Sequence, residues 1–353
     1  MKKLPKLVTE LTLIEQIRRD FHTSQKNIPL GIGDDCAILR PPQDSEVLVT
    51  TDFTIEGRHF RRDLHPPESV GHRCLARGLS DLAAMGATPL AAFLSLALPA
   101  KMLAESAGRV WIAAFFDGLR ALAESHRVPL AGGDTSESSG GKNALILADI
   151  ILIGTAPKDT ALRRSGASAG DVLYVTGQLG GAAAELSNMM RRNRRASTSS
   201  TLDHPHLFPE PRLDVGEALI RRRLATACID LSDGLSSDLA HLCRASRLSA
   251  EIEQTALPIH PLARKLGEPA ALEAALNGGE DYELLFAAPH STSLPTSLAG
   301  VPVTRIGTLK ARRSGHPMLT ILSPHGTRAE LKSGGWEHFK QPSKPKKSSR
   351  PRP

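Results

Sequence analysis

Short clusters of glycine and aspartate recur along this chain, each at the edge of a predicted strand or helix. They are Gly31-Ile-Gly-Asp-Asp35, Thr50-Thr-Asp52, Ser80-Asp81, Gly132-Gly-Asp134, Asp230-Leu-Ser-Asp233-Gly234 and Gly278-Gly-Glu-Asp281. Carboxylates gathered at element ends repel one another unless a cation collects them, and Mg²⁺ bound to polyphosphate does so through hard oxygen ligands. The neighbouring glycines let backbone N–H groups approach phosphate closely. Together the clusters favour a fold that binds magnesium and a polyphosphate.

Each cluster alone also has an ordinary structural explanation. Gly-Gly-Asp is common in turns, and Asp81 has a possible ion-pair partner one helical turn earlier in Arg77. Asp230 and Asp233 are more informative, because they flank Ser232 just before a predicted helix whose N-terminus attracts anions. Two carboxylates and a hydroxyl at that place suit a metal ion together with a nucleotide.

Composition favours a globular chain of two domains. The 353 residues are 41% hydrophobic, which is enough for a sizeable core. The net charge of +7 comes largely from residues 341–353, which hold five Lys and Arg and no acid, so residues 1–340 carry only +2. This tail also lacks aromatic residues for base stacking. We therefore expect it to be a solvated, disordered end and expect no nucleic-acid partner.

The sequence also predicts a soluble, cytoplasmic protein without a membrane partner. Its four cysteines are widely spaced and form no C-x-x-C pair, which indicates reduced thiols. Residues 1–21 mix charges with apolar residues and resemble neither a signal peptide nor an anchor. The longest apolar stretch, 144–153, is too short to cross a bilayer.

Hydrophobic periodicity divides the chain into two α/β units. In the first, residues 1–155, strands are predicted at 46–52 and 144–153, with a helix from Pro67 to Gly86 and a second helix at 110–122 between them.

The second predicted unit covers residues 156–340 and is followed by the tail. It contains strands at 171–176 and 282–287 and a helix at 235–246. The arginine-rich stretch 187–212 reads as a mobile insertion.

Common nucleotide-binding motifs are absent. Gly31-x-Gly33 is followed by Cys36 where a dinucleotide fingerprint needs Gly, and Gly141-Lys142 lacks the flanking residues of a P-loop. No protein-kinase catalytic-loop signature is present. The nucleotide must therefore be bound in another way.

The motifs in their order resemble thiamine-monophosphate kinase, over about residues 28–339. The matching segments are 31–37 (Gly-Ile-Gly-Asp-Asp-Cys-Ala), 51–60 with Gly57 and His59-Phe60, 79–87 (Leu-Ser-Asp-Leu-Ala-Ala-Met-Gly-Ala), 132–135 (Gly-Gly-Asp-Thr), 229–235 (Ile-Asp-Leu-Ser-Asp-Gly-Leu), 278–284 (Gly-Gly-Glu-Asp-Tyr-Glu-Leu) and 336–339 (Trp-Glu-His-Phe). Two positions depart from the family pattern: Gly78 stands where Asn is expected, and Phe116 where an aromatic hydroxyl would contact the nucleotide.

The resemblance implies a fold and an assembly. The fold class would be α/β, mixed with α+β, in the two-domain arrangement of aminoimidazole ribonucleotide synthetase. The N-terminal sheets of two subunits would pair into a homodimer, with ATP and metals in the cleft between the domains.

The resemblance also implies site residues. As Mg²⁺ ligands it gives Asp35, Thr50, Thr51, Asp52, Asp81, Asp134, Asp230 and Asp233. For ATP it gives Gly133, Asp134, Arg164 and Ser232, and for thiamine monophosphate His59, Glu280 and Trp336. The chemistry of these residue types agrees, since a Trp ring can stack on a flat cationic heterocycle and a Glu can offset its charge. The alternatives to substrate binding are that Trp336 is a core residue and that His59 lies in an exposed loop.

The implied reaction is ATP- and Mg²⁺-dependent phosphorylation of thiamine monophosphate to thiamine diphosphate by direct in-line transfer. A phosphate oxygen is already largely ionised near neutral pH, so no general base and no catalytic side chain is assigned. Three alternatives remain open. Selenophosphate synthetase would need a reactive Cys in a flexible N-terminal segment, aminoimidazole ribonucleotide synthetase has motifs that fit less closely, and a non-catalytic nucleotide-binding regulator would tolerate loss of acidic positions that are all present here.

Overall fold

The computed structural model describes residues 9–21, 26–192 and 204–336. Several expectations lie outside this part of the chain. They concern the basic tail 341–353, residues 193–203 of the arginine-rich stretch, and residues 337–339 of the last motif.

The N-terminal unit is a four-stranded sheet with helices packed on one face. Its helices are α1 (Glu10–Asp20), α2 (Pro67–Ala84), α3 (Ala100–Ala104) and α4 (Ser106–Ser125), and its strands are β1 (Ser45–Ile55), β2 (Thr88–Leu98), β3 (Leu130–Glu137) and β4 (Leu147–Pro157). The strand order is β1-β4-β2-β3, in which β2 and β3 are parallel and the other pairs antiparallel. β1 and β3 are therefore the two edges of the sheet.

Helix α2 begins and ends as its sequence predicts. Pro67 occupies its first turn, where the missing N–H costs no hydrogen bond. Gly86 follows the helix with φ +66°, a left-handed conformation that glycine adopts without strain. Between these ends, α2 crosses α4 at two glycines. A Cβ on Gly118 would lie 1.9 Å from the Glu68 carbonyl oxygen, so only glycine permits this close approach.

The C-terminal unit is built on a second, larger mixed sheet. Its helices are α5 (Gly181–Arg192), α6 (Leu213–Arg221), α7 (Leu235–Ser246), α8 (Pro261–Arg264) and α9 (Glu268–Asn277). Its strands are β5 (Val172–Thr176), β6 (Ala227–Asp230), β7 (Leu248–Glu253), β8 (Leu284–Ala288), β9 (Ser297–Leu298), β10 (Val301–Ala311), β11 (Leu319–Leu322) and β12 (Arg328–Glu330). The order is β12-β11-β7-β10-β5-β8-β6, with β9 paired to β10.

Two of the differences from the sequence expectations have an identifiable physical reason. Residues 187–192 belong to helix α5 rather than to a loop, because Met189 is buried against Leu64 and Leu207. Strand β2 was not predicted, since its Ala- and Leu-rich sequence has little β-branched content and favours a helix on propensity alone. Within the described part of the chain, no helix is long and apolar enough to cross a membrane.

Candidate functional site

A cavity of about 480 Å³ lies where the two units meet. Its walls come from the end of β1 and the following loop, from α2, from α5, and from the segments that flank β6 and precede β8. The cavity brings together eight of the residues expected from the sequence: Asp52, His59, Asp81, Asp230, Ser232, Asp233, Glu280 and Trp336.

Three carboxylates from three different elements form one end of this cavity. Asp52 comes from β1, Asp81 from α2 and Asp230 from the last position of β6. The Thr50 hydroxyl donates to Asp81 Oδ2, and the Ser80 hydroxyl donates to Asp230 Oδ2 at 2.9 Å. The second of these hydrogen bonds joins the N-terminal unit to the C-terminal unit at the site.

The pKa values of Asp52 and Asp230 are raised. Burial, followed by the charge of Asp81, raises the pKa of Asp52 and that of Asp230 to about 7 each. Asp52 Oδ2 is buried without a hydrogen-bond partner among the described residues. Buried like charges and an unpaired acceptor are costly unless a cation joins them. These side chains therefore fit a divalent cation. Within residues 9–21, 26–192 and 204–336, no group of three or more acidic, His or Cys side chains is already arranged to hold a metal ion.

Asp238 is an acidic residue of this region that the motif analysis missed. It lies in the first turn of α7, where its carboxylate accepts from the backbone N–H groups of Asp233 and Gly234 at 3.1 and 3.0 Å. Burial and the charges of Asp230 and Asp233 raise its pKa to about 8. Asp238 thus holds the turn that presents Asp233 to the cavity.

The predicted substrate residues His59, Glu280 and Trp336 line the same cavity. His59 Nδ1 accepts from the backbone N–H of Ile55 at 2.9 Å, which fixes the ring at the end of β1. Trp336 is 51% exposed and therefore is not a core residue, and the guanidinium of Arg58 lies 5.7 Å from its ring centroid. The Trp336 backbone N–H donates to the Asp233 carbonyl oxygen at 3.0 Å. This places the ring beside the acidic turn.

Gly335 makes that docking possible. A Cβ at this position would lie 2.2 Å from the Asp233 carbonyl oxygen, so a larger residue would push the segment away. The backbone N–H of Gly335 also donates to the Ser237 hydroxyl at 3.1 Å. The position of Trp336 therefore depends on the first turn of α7.

Glu280 lies in the wall of the cavity in a strained loop. Its φ is +67°, and that of Tyr282 is +50°, values that non-glycine residues rarely adopt and that concentrate at functional sites. Its carboxylate contacts Arg73 in a short ion pair and lies 3.6 Å from Arg77 Nη1. Burial would raise the pKa of Glu280, but Arg73, His206 and Arg77 hold it well below the usual range.

The remaining predicted residues do not line this cavity. Gly133 and Asp134 line a smaller cavity of about 100 Å³ with Ile14, Phe116 and other apolar residues under α1. Thr51 and Asp134 sit on opposite edge strands, three strand spacings or about 14 Å apart. Asp35 and Arg164 are exposed, and the charge of Arg164 lowers the pKa of Asp230, which indicates that Arg164 lies near that carboxylate.

The sequence analysis missed two further polar residues that contact Glu280: His206, which lines the cavity, and Arg73, which lies next to His206 outside the lining. Arg73 is one helical turn before Arg77 on α2, and this spacing could have marked a basic stripe beside Asp81. His206 lies 3.0 Å from His65 Nε2, 3.2 Å from Arg73 Nη1 and 3.2 Å from Glu280 Oε2. No local pattern identifies His206, because its partners are distant in sequence.

Comparison with known families defines the class of this fold. Residues 33–156 match the family described as AIR synthase related protein, N-terminal domain, and residues 168–318 match the corresponding C-terminal domain. The first range covers the four-stranded sheet up to residue 156, and the second covers the larger sheet except β11 and β12. The chain therefore has the two-domain fold of AIR synthase related proteins, which confirms the expected fold class.

Similar proteins and structures identify one family within this class. The chain is 38% identical to thiamine-monophosphate kinase of Escherichia coli K12 over 94% of this chain and 99% of the relative, and 33% identical to that of Bacillus subtilis over the same shares. It is also similar to the crystal structure of thiamine-monophosphate kinase from Stenotrophomonas maltophilia (34% identity, TM-score 0.74, covering 89% and 96% of the two chains). A structure described as AaThiL complexed with AMPPCP and TMP is 30% identical, with a TM-score of 0.71 over 96% and 99% of the chains. This chain belongs to the thiamine-monophosphate kinase family.

Proposed function

We propose that the protein transfers the γ-phosphoryl group of ATP to thiamine monophosphate, giving thiamine diphosphate and ADP. The observation that carries this proposal is one cavity that is lined both by the crowded carboxylates Asp52, Asp81 and Asp230 and by the exposed ring of Trp336. A cationic heterocycle suits the aromatic ring, and a phosphate joined to cations suits the carboxylates. Membership in the kinase family supports the same assignment.

We propose Mg²⁺ as the metal, because hard carboxylate and hydroxyl oxygens are the donors present. Asp52, Asp81 and Asp230 would hold it in the cavity. The other ligands expected from the resemblance are Asp35, Thr50, Thr51, Asp134 and Asp233. Bound Mg²⁺ would neutralise the charge of the phosphates and so reduce the repulsion between donor and acceptor.

The protein's own task is then to position two phosphates. An oxygen of the acceptor phosphate forms a bond to the γ-phosphorus while the bond from that phosphorus to the β-bridging oxygen breaks and ADP leaves. The attacking oxygen is already ionised near neutral pH, so no side chain needs to remove a proton. Catalysis would rest on orientation and on charge stabilisation, which are the main contributions in phosphoryl transfer.

For ATP we propose Gly133, Asp134, Arg164 and Ser232. Support comes from the apolar cavity beside Gly133, whose walls of Ile14, Leu94 and Phe116 suit a flat heterocycle. Arg164 is exposed near Asp230, where its guanidinium can reach a phosphate oxygen.

For the assembly we propose a homodimer through the N-terminal sheet. Val47, Val49 and Phe53 on β1 are 52%, 62% and 56% exposed on the face that carries no helix. Such a contiguous apolar face on an edge strand favours a protein contact. We also propose a boundary between the two domains near residue 155, a cytoplasmic location, and no nucleic-acid or membrane partner.

The direct test is to incubate the purified protein with thiamine monophosphate, ATP and Mg²⁺, with and without EDTA, and to separate the thiamine species by chromatography. We expect thiamine diphosphate and ADP in equal amounts, and neither with EDTA. ATP binding without any thiamine diphosphate would reject the acceptor and leave the nucleotide site in place.

A further inference from the structure

We propose that Arg77 binds the phosphate group of the acceptor and orients it toward the donor, an inference that rests on the proposed function. Arg77 lies on α2 at the wall of the cavity, between the carboxylate end and Glu280. It is outside the set of residues expected from the motifs. Its sequence position suggested only a helical ion pair with Asp81, four residues later.

The guanidinium of Arg77 points across the cavity rather than along its own helix. Within 4 Å, its ion pairs among the described residues are with Asp52 Oδ1 at 3.7 Å and with Glu280 Oε1 at 3.6 Å. Its third contact is to the Tyr282 hydroxyl at 3.4 Å. Arg77 thus lies between Asp52, an expected metal ligand, and Glu280, an expected substrate residue.

These contacts leave Arg77 poorly satisfied. All three are longer than about 2.7–3.2 Å, the range of good hydrogen bonds, and Nε has no partner among the described residues. The side chain is only 18% exposed, so water does not fully replace the missing partners. A guanidinium has five N–H donors, and a buried one with loose contacts is prepared for an anionic ligand.

Two neighbouring arginines show the contrast. Arg212 donates Nε and Nη2 to the two oxygens of Glu283 at 2.8 and 2.6 Å, a closed bidentate pair. Arg73 is 3% exposed and makes a short ion pair with Glu280. Because Arg73 already neutralises Glu280, that carboxylate does not require Arg77.

Phosphate is the ligand that fits this environment. The planar fork of arginine matches two phosphate oxygens, and such charge-assisted pairs are shorter and stronger than the present contacts. A carboxylate-bearing ligand would meet Asp52 and Glu280 at the same place and would lack the cations that accompany a phosphate. The acceptor phosphate is favoured over the donor because Arg77 lies 3.6 Å from Glu280, a residue expected at thiamine monophosphate, whereas Gly133, Asp134 and Arg164, expected at ATP, do not line this cavity.

The test measures binding of three ligands to the full-length protein by calorimetry in Mg²⁺: thiamine monophosphate, thiamine and AMPPCP. The variants are Arg77→Met, Arg77→Lys and, as a control of equal chemistry on α4, Arg120→Met, whose guanidinium pairs with Asp20 and Asp117. For Arg77→Met we expect the Kd of thiamine monophosphate to rise about 10- to 100-fold, the range for one charge-assisted hydrogen bond. The Kd values of thiamine and AMPPCP should stay within about twofold. Arg77→Lys should lie between wild type and Arg77→Met, and Arg120→Met should match wild type.

Each outcome separates this inference from the proposed function. If Arg77→Met binds thiamine monophosphate as wild type does, or weakens all three ligands equally, Arg77 has no specific contact with the acceptor phosphate. If it weakens AMPPCP alone, the contact belongs to the donor and the inference is wrong. If wild-type protein itself binds neither thiamine compound, the proposed function fails before Arg77 is considered.

Discussion

Replacing Asp52 by Asn should make the protein more stable without metal and far less active with it. The raised pKa of Asp52, from its ordinary 3.8 to about 7, corresponds to roughly 4 kcal/mol of destabilisation of the charged form, at about 1.4 kcal/mol for each factor of ten. This value is already net of the attraction of Arg77, and the amide of Asn retains part of the cost of burying a polar group. A net gain of about 1–3 kcal/mol in the free energy of unfolding is therefore expected.

The effect of Asp52→Asn on the free energy of unfolding depends on pH. The folded state holds the proton on Asp52 up to about pH 7, whereas the unfolded chain releases it near pH 4. The wild-type protein therefore loses stability as pH rises through this window, and the loss is complete above pH 7. The advantage of Asp52→Asn should be largest at pH 8 in EDTA and should vanish at pH 4.

Thermal unfolding at both pH values measures the first half of this prediction. A gain of 1 kcal/mol raises the Tm of a 150–250-residue domain by about 2–4 °C, so a shift of several degrees is expected. Thiamine diphosphate formation measures the second half, and turnover should fall about 10²- to 10³-fold, as for loss of one preorganised electrostatic contact.

Asp171→Asn is the matched control. Asp171 is buried far from the cavity lining, where its carboxylate accepts from the Ser168 N–H and the Thr226 hydroxyl. Its replacement should lower stability and leave turnover unchanged, the reverse of Asp52→Asn. If Asp52→Asn unfolds earlier than wild type in EDTA at pH 8, or retains wild-type turnover, the assignment of Asp52 to a cation site is wrong.

Three further outcomes follow from the geometry. Mg²⁺ binding without nucleotide should weaken as pH falls from 8 to 6, because protons compete with the metal for Asp52 and Asp230, whose pKa values are about 7. The Kd should rise by up to about tenfold per pH unit for each proton displaced. A pH-independent Kd in a metal titration would contradict this. Trp336→Ala should raise the KM for thiamine monophosphate about 2- to 30-fold, the range of a cation–π contact, with the KM for ATP within twofold; equal changes in both would exclude stacking on the thiamine ring. Gly118→Ala should destabilise the fold by about 1–3 kcal/mol in chemical unfolding, since its Cβ would meet the Glu68 backbone, and an unchanged midpoint would refute the close crossing of α2 and α4.

Local sequence signals predicted the helices whose ends are marked by proline or glycine. Helix α7 was expected at 235–246 and lies at Leu235–Ser246, and α2 was expected from Pro67 to Gly86 and ends just before Gly86. Strand β2 escaped prediction because its run of Ala and Leu has few strand-favouring residues and because its pairing with β3 and β4 is a long-range property.

The site was predictable in composition but not in geometry. The clusters identified Asp52, Asp81 and Asp230 as partners, and all three line one cavity. They did not show that Asp134 lies on the opposite edge of the sheet from Thr51, because strand order is a long-range property. They also suggested that Arg77 pairs with Asp81, whereas packing of the C-terminal unit offers it Glu280 and Tyr282 instead.

The residues that lower the stability of the protein without ligands are the ones that suit its proposed substrates. Asp52 and Asp230 are kept close to Asp81 although each raises the pKa of a neighbour, and Glu280 and Tyr282 hold left-handed backbone conformations. Such features persist only where the surrounding structure enforces them. Here the enforcement has two identifiable sources, the Ser80–Asp230 hydrogen bond between the units and the Arg73–Glu280 ion pair across the same boundary. Bound cations would relieve the repulsion among Asp52, Asp81 and Asp230. A phosphate would satisfy the guanidinium of Arg77 beside Glu280. The stability of the empty protein and the affinity for its ligands should therefore change in opposite directions when these carboxylates are neutralised.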